Sequence, residues 1–84
     1  MNHINLSRHY LIHTFKKQIG ISPYQYMHMC RINYSQTLLS ETDMTISEIA
    51  DKAGYNSTAV FIRHFKAFNK ITPGKYRRVL LNIP

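Results

Sequence analysis

The feature that most constrains this 84-residue chain is a pattern that occurs twice, 50 positions apart. Phe15-Lys16 corresponds to Phe65-Lys66, and the Ile-Ser-Pro triplet at 21–23 corresponds to Ile-Thr-Pro at 71–73. The remaining matches are Tyr26 with Tyr76, Ser7 with Ser57, and Ile12 with Ile62. So many matches at one offset indicate that the chain holds the same supersecondary unit twice.

The second copy of the pattern is more complete than the first. The segment TISEIADKAG at 45–54 precedes the second copy, whereas only MNHINL precedes the first. We therefore predict a remnant of one unit at 1–21, a linker at 22–40 and a complete unit at 45–78. All three belong to a single domain over 1–84, because a chain this short rarely forms two hydrophobic cores.

The chain is strongly basic. It has 11 Lys+Arg against 4 Asp+Glu, a formal net charge of +7, and every acidic residue lies within 41–51. This imbalance favours a polyanionic partner, although two solvated basic faces would explain the charge pattern equally well. No apolar run reaches the roughly 20 residues of a membrane span, and the amino terminus does not resemble a signal peptide. A single cysteine cannot form an internal disulfide, which is consistent with the reducing cytoplasm in which we expect the protein.

Capping signals predict five helices and no strands. Ser7 is expected to cap a helix ending near Ile19, before Gly20. The other predicted helices run from Ser22-Pro23 to about Ser40, from the capping box Thr45…Glu48 to Lys52 or Ala53, from Ser57 through the phenylalanines, and from Thr72-Pro73 for one or two turns. Within 22–40 the predicted apolar stripe is Met27, Cys30, Tyr34 and Leu38, with Tyr26 and Leu39 beside it and with Cys30 a small core side chain.

Residues 45–68 have the organisation of a helix-turn-helix: a short capped helix, a turn around Gly54 and a second helix. The spacing of Phe61, Phe65 and Phe68 predicts that all three are buried and fix the rotation of the second helix. The opposite side then carries Thr58, Ala59, Ile62, Arg63 and Lys66. Such a helix fits the DNA major groove, where an arginine can donate two hydrogen bonds to guanine.

The same side of the first copy carries Arg8, His9, Ile12, His13 and Lys16. An apolar side chain is expected to point outward at the matching positions 12 and 62, which is unusual for a solvated face and reasonable for a surface that contacts bases. Lys16 and Lys66 lie where a phosphate would be expected.

The sequence resembles the DNA-binding domain of the AraC/XylS family of bacterial transcription regulators over about residues 5–78. The second half carries the matching motifs Ile49-Ala50, Gly54-Tyr55, Phe61, Phe65-Lys66, Thr72-Pro73 and Tyr76-Arg77. The first half matches at Ser7, Leu11, Phe15-Lys16 and Gly20, and the linker at Tyr26, Arg31 and Leu38-Leu39.

The resemblance implies an all-α fold in which homeodomain-like, three-helical helix-turn-helix units are joined by a long linker helix, with the first unit incomplete. It implies binding to successive major grooves of double-stranded DNA. The base-facing residues that it implies are Arg8, His9, Ile12, His13, Thr58, Ala59, Ile62 and Arg63, the same positions that the helical spacing selects.

The sequence departs from the family pattern in three ways. Two helices that precede the first recognition helix in the family are missing from this sequence. Lys70 stands where the family usually has Gly, so a left-handed conformation there would cost roughly 1 kcal/mol unless Asn69 adopts it instead. Ser35 replaces a small Ala of the linker helix, and its hydroxyl is expected to donate to the carbonyl of Arg31.

No catalytic residue, metal or cofactor is expected. Among the amino-terminal histidines, only His9 and His13 have a spacing suited to a shared metal, and no carboxylate or thiol is near them in sequence. Lys75, Arg77 and Arg78 are expected to form a solvated basic cluster with a secondary role in phosphate contact.

These observations favour a sequence-specific DNA-binding domain of a bacterial transcription regulator, expected to be an activator, located at the nucleoid. The expected partners are double-stranded DNA, RNA polymerase as an added contact, and a companion effector-sensing domain that the chain lacks; no membrane partner is expected. The alternative is a basic helical module that binds nucleic acid or an anionic membrane surface without sequence preference.

Overall fold

The computed structural model describes residues 8–81, with side chains from residue 13 onward. The five helices are α1 (Arg8–Ile19), α2 (Pro23–Glu41), α3 (Ile46–Lys52), α4 (Thr58–Asn69) and α5 (Pro73–Leu80), and no strand occurs in this range. The all-α prediction is therefore confirmed, and the helix ends fall within about two residues of those expected. The predicted cap at Ser7 lies outside the described residues.

Side-chain caps account for where α2 to α5 begin. The hydroxyls of Ser22, Thr45, Ser57 and Thr72 each accept a hydrogen bond from a backbone N–H three residues later. At Thr45 the box is reciprocal, because Glu48 accepts from the Thr45 N–H at 2.8 Å. Each cap satisfies an N–H that has no partner within its helix, which is why the sequence predicts these boundaries well.

The sequence repeat is also a structural repeat. Phe15 and Tyr26 meet edge-to-face with ring centroids 5.6 Å apart, and the matching pair Phe65 and Tyr76 does so at 5.3 Å. The helices that precede each proline turn end alike, since Gly20 has φ +94° and Lys70 has φ +69°. At position 70 the lysine itself therefore takes the left-handed conformation, and Asn69 remains helical.

The hydrophobic core lies where α2, α3, α4 and α5 meet. Its buried members are Ile32, Leu39, Ile49, Ala50, Ala53, Tyr55, Phe61 and Phe65. Helix α3 contributes Ile49 and Ala50, and Ile46 packs at the edge of the core. This core holds α4 against α2, α3 and α5.

The predicted apolar stripe of α2 is wrong. Met27, Cys30 and Tyr34 are exposed, with Tyr34 46% exposed, and Leu38 only packs at the edge of the core. The buried positions of α2 are instead His28, Ile32, Ser35 and Leu39. Apolar residues surround α2 on nearly all sides, so the spacing alone could not select the face that meets the core.

Ser35 and Phe68 also differ from expectation. Ser35 is fully buried, as a close helix contact requires, but its hydroxyl donates to the carbonyl of Ile32 at 2.6 Å rather than to that of Arg31. Phe68 is 42% exposed, so only two of the three phenylalanines belong to the core. It lies on the last turn of α4, where a hydrogen bond from the Gln36 amide to the Asn69 side chain joins α2 to α4.

Arg77 fastens α5 to the end of α2 instead of joining a solvated cluster. Its guanidinium donates to the carbonyls of Leu39 at 3.0 Å, Met44 at 2.7 Å and Thr42 at 3.1 Å. A helix end and the loop after it present unpaired carbonyls, and the planar guanidinium has donors enough for several of them. Arg77 thus satisfies the α2–α3 junction from a helix more than 30 residues away in sequence.

Candidate nucleic-acid interface

A tight turn over residues 53–57 joins α3 to α4. The Gly54 N–H donates to the Asp51 carbonyl at 3.1 Å, and the Tyr55 N–H donates to the Ala50 carbonyl at 2.9 Å. Gly54 has φ +97°, a left-handed conformation in which glycine avoids the strain of a side chain. The turn directs Tyr55 into the core, and Ser57 then caps α4. Together these elements form a helix-turn-helix.

Aromatic packing fixes the rotation of α4. Phe61 and Phe65 are 0% exposed and contact each other edge-to-face at 5.8 Å. Tyr55 packs on Phe61 at 5.6 Å, and Tyr76 on Phe65 at 5.3 Å. Because both faces of this pair are occupied by rings from neighbouring segments, rotating α4 about its axis would break several contacts at once.

The side of α4 opposite to these rings faces solvent. Ala59, Arg63 and Lys66 are exposed there, at helical positions i, i+4 and i+7. Arg63 makes no hydrogen bond or ion pair with the residues whose side chains are described, so all of its donors remain available. An arginine flanked by a small residue and a lysine on the exposed side of a helix is chemically suited to DNA, whose phosphates are anionic and whose base edges carry hydrogen-bond acceptors.

Thr58 and Ile62 are only partly outward. The Thr58 hydroxyl donates to Ser47 Oγ at 3.3 Å, which ties the first residue of α4 to α3. Ile62 is half-buried and packs against the core, so the expectation that it projects fully outward is wrong. Around the helix, Ile62 lies about 100° and Thr58 about 140° from Arg63, on the flank of α4 next to the core, where a partner entering from that side could still reach them.

In the first copy the structure describes fewer of the predicted positions. His13 and Lys16 are exposed on α1, as predicted. The side chains of Arg8, His9 and Ile12 lie outside the described residues. Helix α1 contacts α2 through Phe15 and Tyr26 and ends at Ile19, before Gly20, whose N–H donates to the Lys16 carbonyl at 2.7 Å.

A cluster of rings between α2 and α4 was not predicted from the sequence. His28 is 6% exposed and stacks on His64, with ring centroids 4.1 Å apart and an interplanar angle of 6°. His28 Nδ1 is hydrogen-bonded to the Tyr55 hydroxyl at 2.9 Å. Burial, then the neighbouring His64 and Arg31, lower the pKa of His28 below its usual 6.5. The only sequence signal for the burial of His28 is its position. It lies four residues before Ile32 and is therefore on the same, buried side of α2.

Comparison with known proteins decides the family. Residues 1–79 match the family described as "Helix-turn-helix domain". The chain is 40% identical over 75 residues to the HTH-type transcriptional regulator YtdP of Bacillus subtilis, which covers 89% of this chain and 10% of that protein. This chain belongs to the AraC/XylS family of helix-turn-helix regulators. The family regulates transcription by binding DNA, and this chain carries its DNA-binding fold.

Solved AraC-type domains have the same fold. The carboxyl-terminal domain of AraT, a response regulator from Geobacillus stearothermophilus, superposes with a TM-score of 0.86 at 32% identity, covering 92% of this chain and 64% of that one. The DNA-binding domain of AdpA, solved with a target DNA, gives 0.84 at 25% identity, covering 95% and 75%. The chain spans between 10% and 30% of the length of the curated relatives it matches. Within residues 8–81, no helix combines the length and the apolar character needed to cross a bilayer.

Proposed function

We propose that this AraC/XylS domain binds double-stranded DNA sequence-specifically by inserting α4 into the major groove. The observation that carries the proposal is the exposed Arg63 on a helix whose rotation is fixed by the fully buried Phe61 and Phe65. A fixed rotation matters because a bidentate contact to guanine tolerates little change in the direction of the guanidinium. The AdpA domain, which has this fold and was solved with its target DNA, supports the choice of partner.

Each of the two copies of the unit contributes residues to the proposed DNA interface. In the second, the proposed base-facing residues are Thr58, Ala59, Ile62 and Arg63, and in the first they are Arg8, His9, Ile12 and His13. Lys16 and Lys66, both exposed, would contact phosphates and supply affinity without sequence preference. With α1 and α4 both engaged, the contacted grooves lie about one helical turn, 10–10.5 bp, apart.

The proposal for the whole regulator goes further. We propose that residues 1–84 act as one DNA-binding domain, with 1–21 and 45–78 as reading units and 22–40 as the linker. It works at the nucleoid in the cytoplasm, within a longer regulator that activates transcription, carries an effector-sensing domain and contacts RNA polymerase. Two relatives, the melibiose operon regulatory protein of Escherichia coli and the lactose operon transcription activator of Staphylococcus xylosus, are named for control of sugar operons.

The test selects preferred duplexes from a random pool and then measures the affinity of Arg63→Ala for the preferred site and for every single-base variant of it. We expect the substitution to cost about 1–3 kcal/mol on the preferred site and to remove discrimination at one base pair. Lys52→Ala is the matched control, because Lys52 is an exposed cation at the carboxyl end of α3 and is not among the proposed DNA-contacting residues.

Equal weakening of all duplexes by Arg63→Ala would mean that Arg63 contacts only phosphate. Similar affinity of the unaltered chain for random duplex, single strands and anionic vesicles would contradict sequence-specific binding and support the nonspecific basic module instead.

A further inference from the structure

A pocket of about 340 Å³ opens between the amino-terminal half of α2 and the start of α4. Helix α2 lines it with Tyr24, His28 and Arg31, and the other wall is formed by the turn at 54–57 together with His64 of α4. The pocket therefore lies beside the reading helix, at its amino end, and not among the proposed base-facing residues.

Packing against Tyr55 and Gly54 positions Arg31 in this pocket, and the N–H donors of its guanidinium are uncommitted. The centre of its guanidinium lies 5.5 Å from the centroid of the Tyr55 ring, a stacking contact. The absence of a side chain at Gly54 leaves room for it, since a Cβ there would be 3.1 Å from Arg31 Nε. Arg31 forms no hydrogen bond or ion pair with the residues whose side chains are described. A stacked guanidinium with uncommitted donors is the arrangement that recognises a phosphate or a carboxylate.

The electrostatics of the pocket favour an anion. Arg31, His28 and His64 line it, and none of the described residues that line it is acidic. The positive charge of the pocket comes from Arg31, because burial first, and His64 and Arg31 next, lower the pKa of His28 and favour its neutral form. His28 is itself more than nine-tenths buried, and its Nε2 has no hydrogen-bond partner within the described part of the chain.

The start of α4 adds further donors. The Ser57 hydroxyl accepts from the Val60 N–H at 3.3 Å, while the N–H groups of Thr58 and Ala59, in the first turn, have no carbonyl within the helix to bond. Asn56 and Ser57 line the pocket, so this end of a 12-residue helix borders it with its positive dipole.

We propose that this pocket, the Arg31 pocket, binds a phosphate group, and that the group is a backbone phosphodiester of the DNA strand that passes beside α4. The choice of DNA over a free anion rests on the proposed function: His64 of the pocket directly follows Arg63 on α4, so a strand bordering the groove that Arg63 reads passes near the pocket mouth. Arg31 then fixes the position of α4 along the duplex, and Arg63 selects the sequence.

The decisive measurement is the salt dependence of duplex binding for the full chain and for Arg31→Gln. Loss of one phosphate contact lowers the slope of log K against log salt by about 0.9, so the affinity deficit of the variant shrinks about 3.5-fold between 50 and 200 mM salt. The deficit is expected to be the same for preferred and random duplexes. Arg31→Lys retains the charge and is expected to keep the slope, and Lys52→Gln removes a charge outside the pocket and is expected to change the slope far less.

A second arm titrates inorganic phosphate and follows the NMR signals of His64 and of the Arg31 guanidinium, with Arg31→Gln as control. A changed duplex slope without a response to inorganic phosphate identifies the phosphodiester; a saturable response lost in Arg31→Gln, with an unchanged slope, identifies free phosphate. An unchanged slope together with no phosphate response overturns the pocket. If the unaltered chain binds no duplex at all, the proposed function fails, while the phosphate arm still decides the pocket. Circular dichroism of Arg31→Gln and Arg31→Lys shows that any effect comes from a folded chain.

Discussion

Replacing Lys70 by glycine should stabilise the domain. Lys70 ends α4 with φ 69° and ψ 0°, the left-handed conformation, and its N–H donates to the Lys66 carbonyl at 2.8 Å. Its side chain is exposed and lines no part of the core, so truncation removes no packing. A non-glycine residue in this conformation costs about 1–2 kcal/mol because Cβ crowds the following carbonyl.

The gain is smaller than that strain, since glycine also gives the unfolded chain about 0.5–1 kcal/mol of extra conformational freedom. The difference is a net stabilisation of about 0.5–1 kcal/mol for Lys70→Gly, a rise of about 2–8 °C in the melting temperature of a domain this small. Urea and thermal unfolding followed by circular dichroism at 222 nm measure both quantities.

Two matched variants isolate the backbone effect. Lys66→Gly removes the same side chain from an exposed helical position of α4 and should destabilise by about 1 kcal/mol. Lys70→Asn should gain less than Lys70→Gly, because asparagine tolerates this conformation only in part. If Lys70→Gly lowered the stability as much as Lys66→Gly does, the strain argument would be refuted.

Two further predictions concern the packing of α2. Arg77→Met removes three hydrogen bonds to the carbonyls of Leu39, Thr42 and Met44, and should cost about 2–3 kcal/mol in urea unfolding; a loss below about 0.5 kcal/mol would show that water replaces the guanidinium without penalty. The pKa of His28 is lower in the folded chain than its usual 6.5, so the unfolded chain binds more protons and stability falls as the pH drops below about 6.5, with no contribution from His28 above it. Urea unfolding between pH 5 and 7.5 should show this slope reduced in His28→Phe, and an equal slope in both proteins would assign the acid sensitivity elsewhere.

The sequence predicts the helix ends far better than the helix faces. A cap such as Thr45 with Glu48 is decided within four residues, so its local signal is complete in the sequence. The face of α2 depends on which side meets α3, α4 and α5, and its apolar residues do not single out one side. The contacts of Arg77 could not be predicted because its hydrogen-bond acceptors are backbone carbonyls, which every residue type has.

In the candidate site, too, some features could be predicted from the sequence and others could not. Exposure of Arg63 and Lys66 follows from the buried Phe61 and Phe65, because helical periodicity relates the two sides of one helix. Ile62 departs from the pattern because the core is wider than two phenylalanines and extends to its flank. The Arg31 pocket needs three separate segments in contact, and no local pattern encodes that meeting.

The Arg77 contact makes α2 a rigid connection that fixes both the distance and the rotation between the elements at its two ends. By joining α5 to the last carbonyls of α2, it makes α5, and α4 packed against α5, rotate together with α2. Nineteen residues span about 28 Å, somewhat less than one repeat of the double helix. One residue added within α2 would swing α4 through about 100° relative to α1 while lengthening α2 by only about 1.5 Å. The Arg77 contact therefore preserves the rotation of α4 relative to α1 much more than the distance between these two helices.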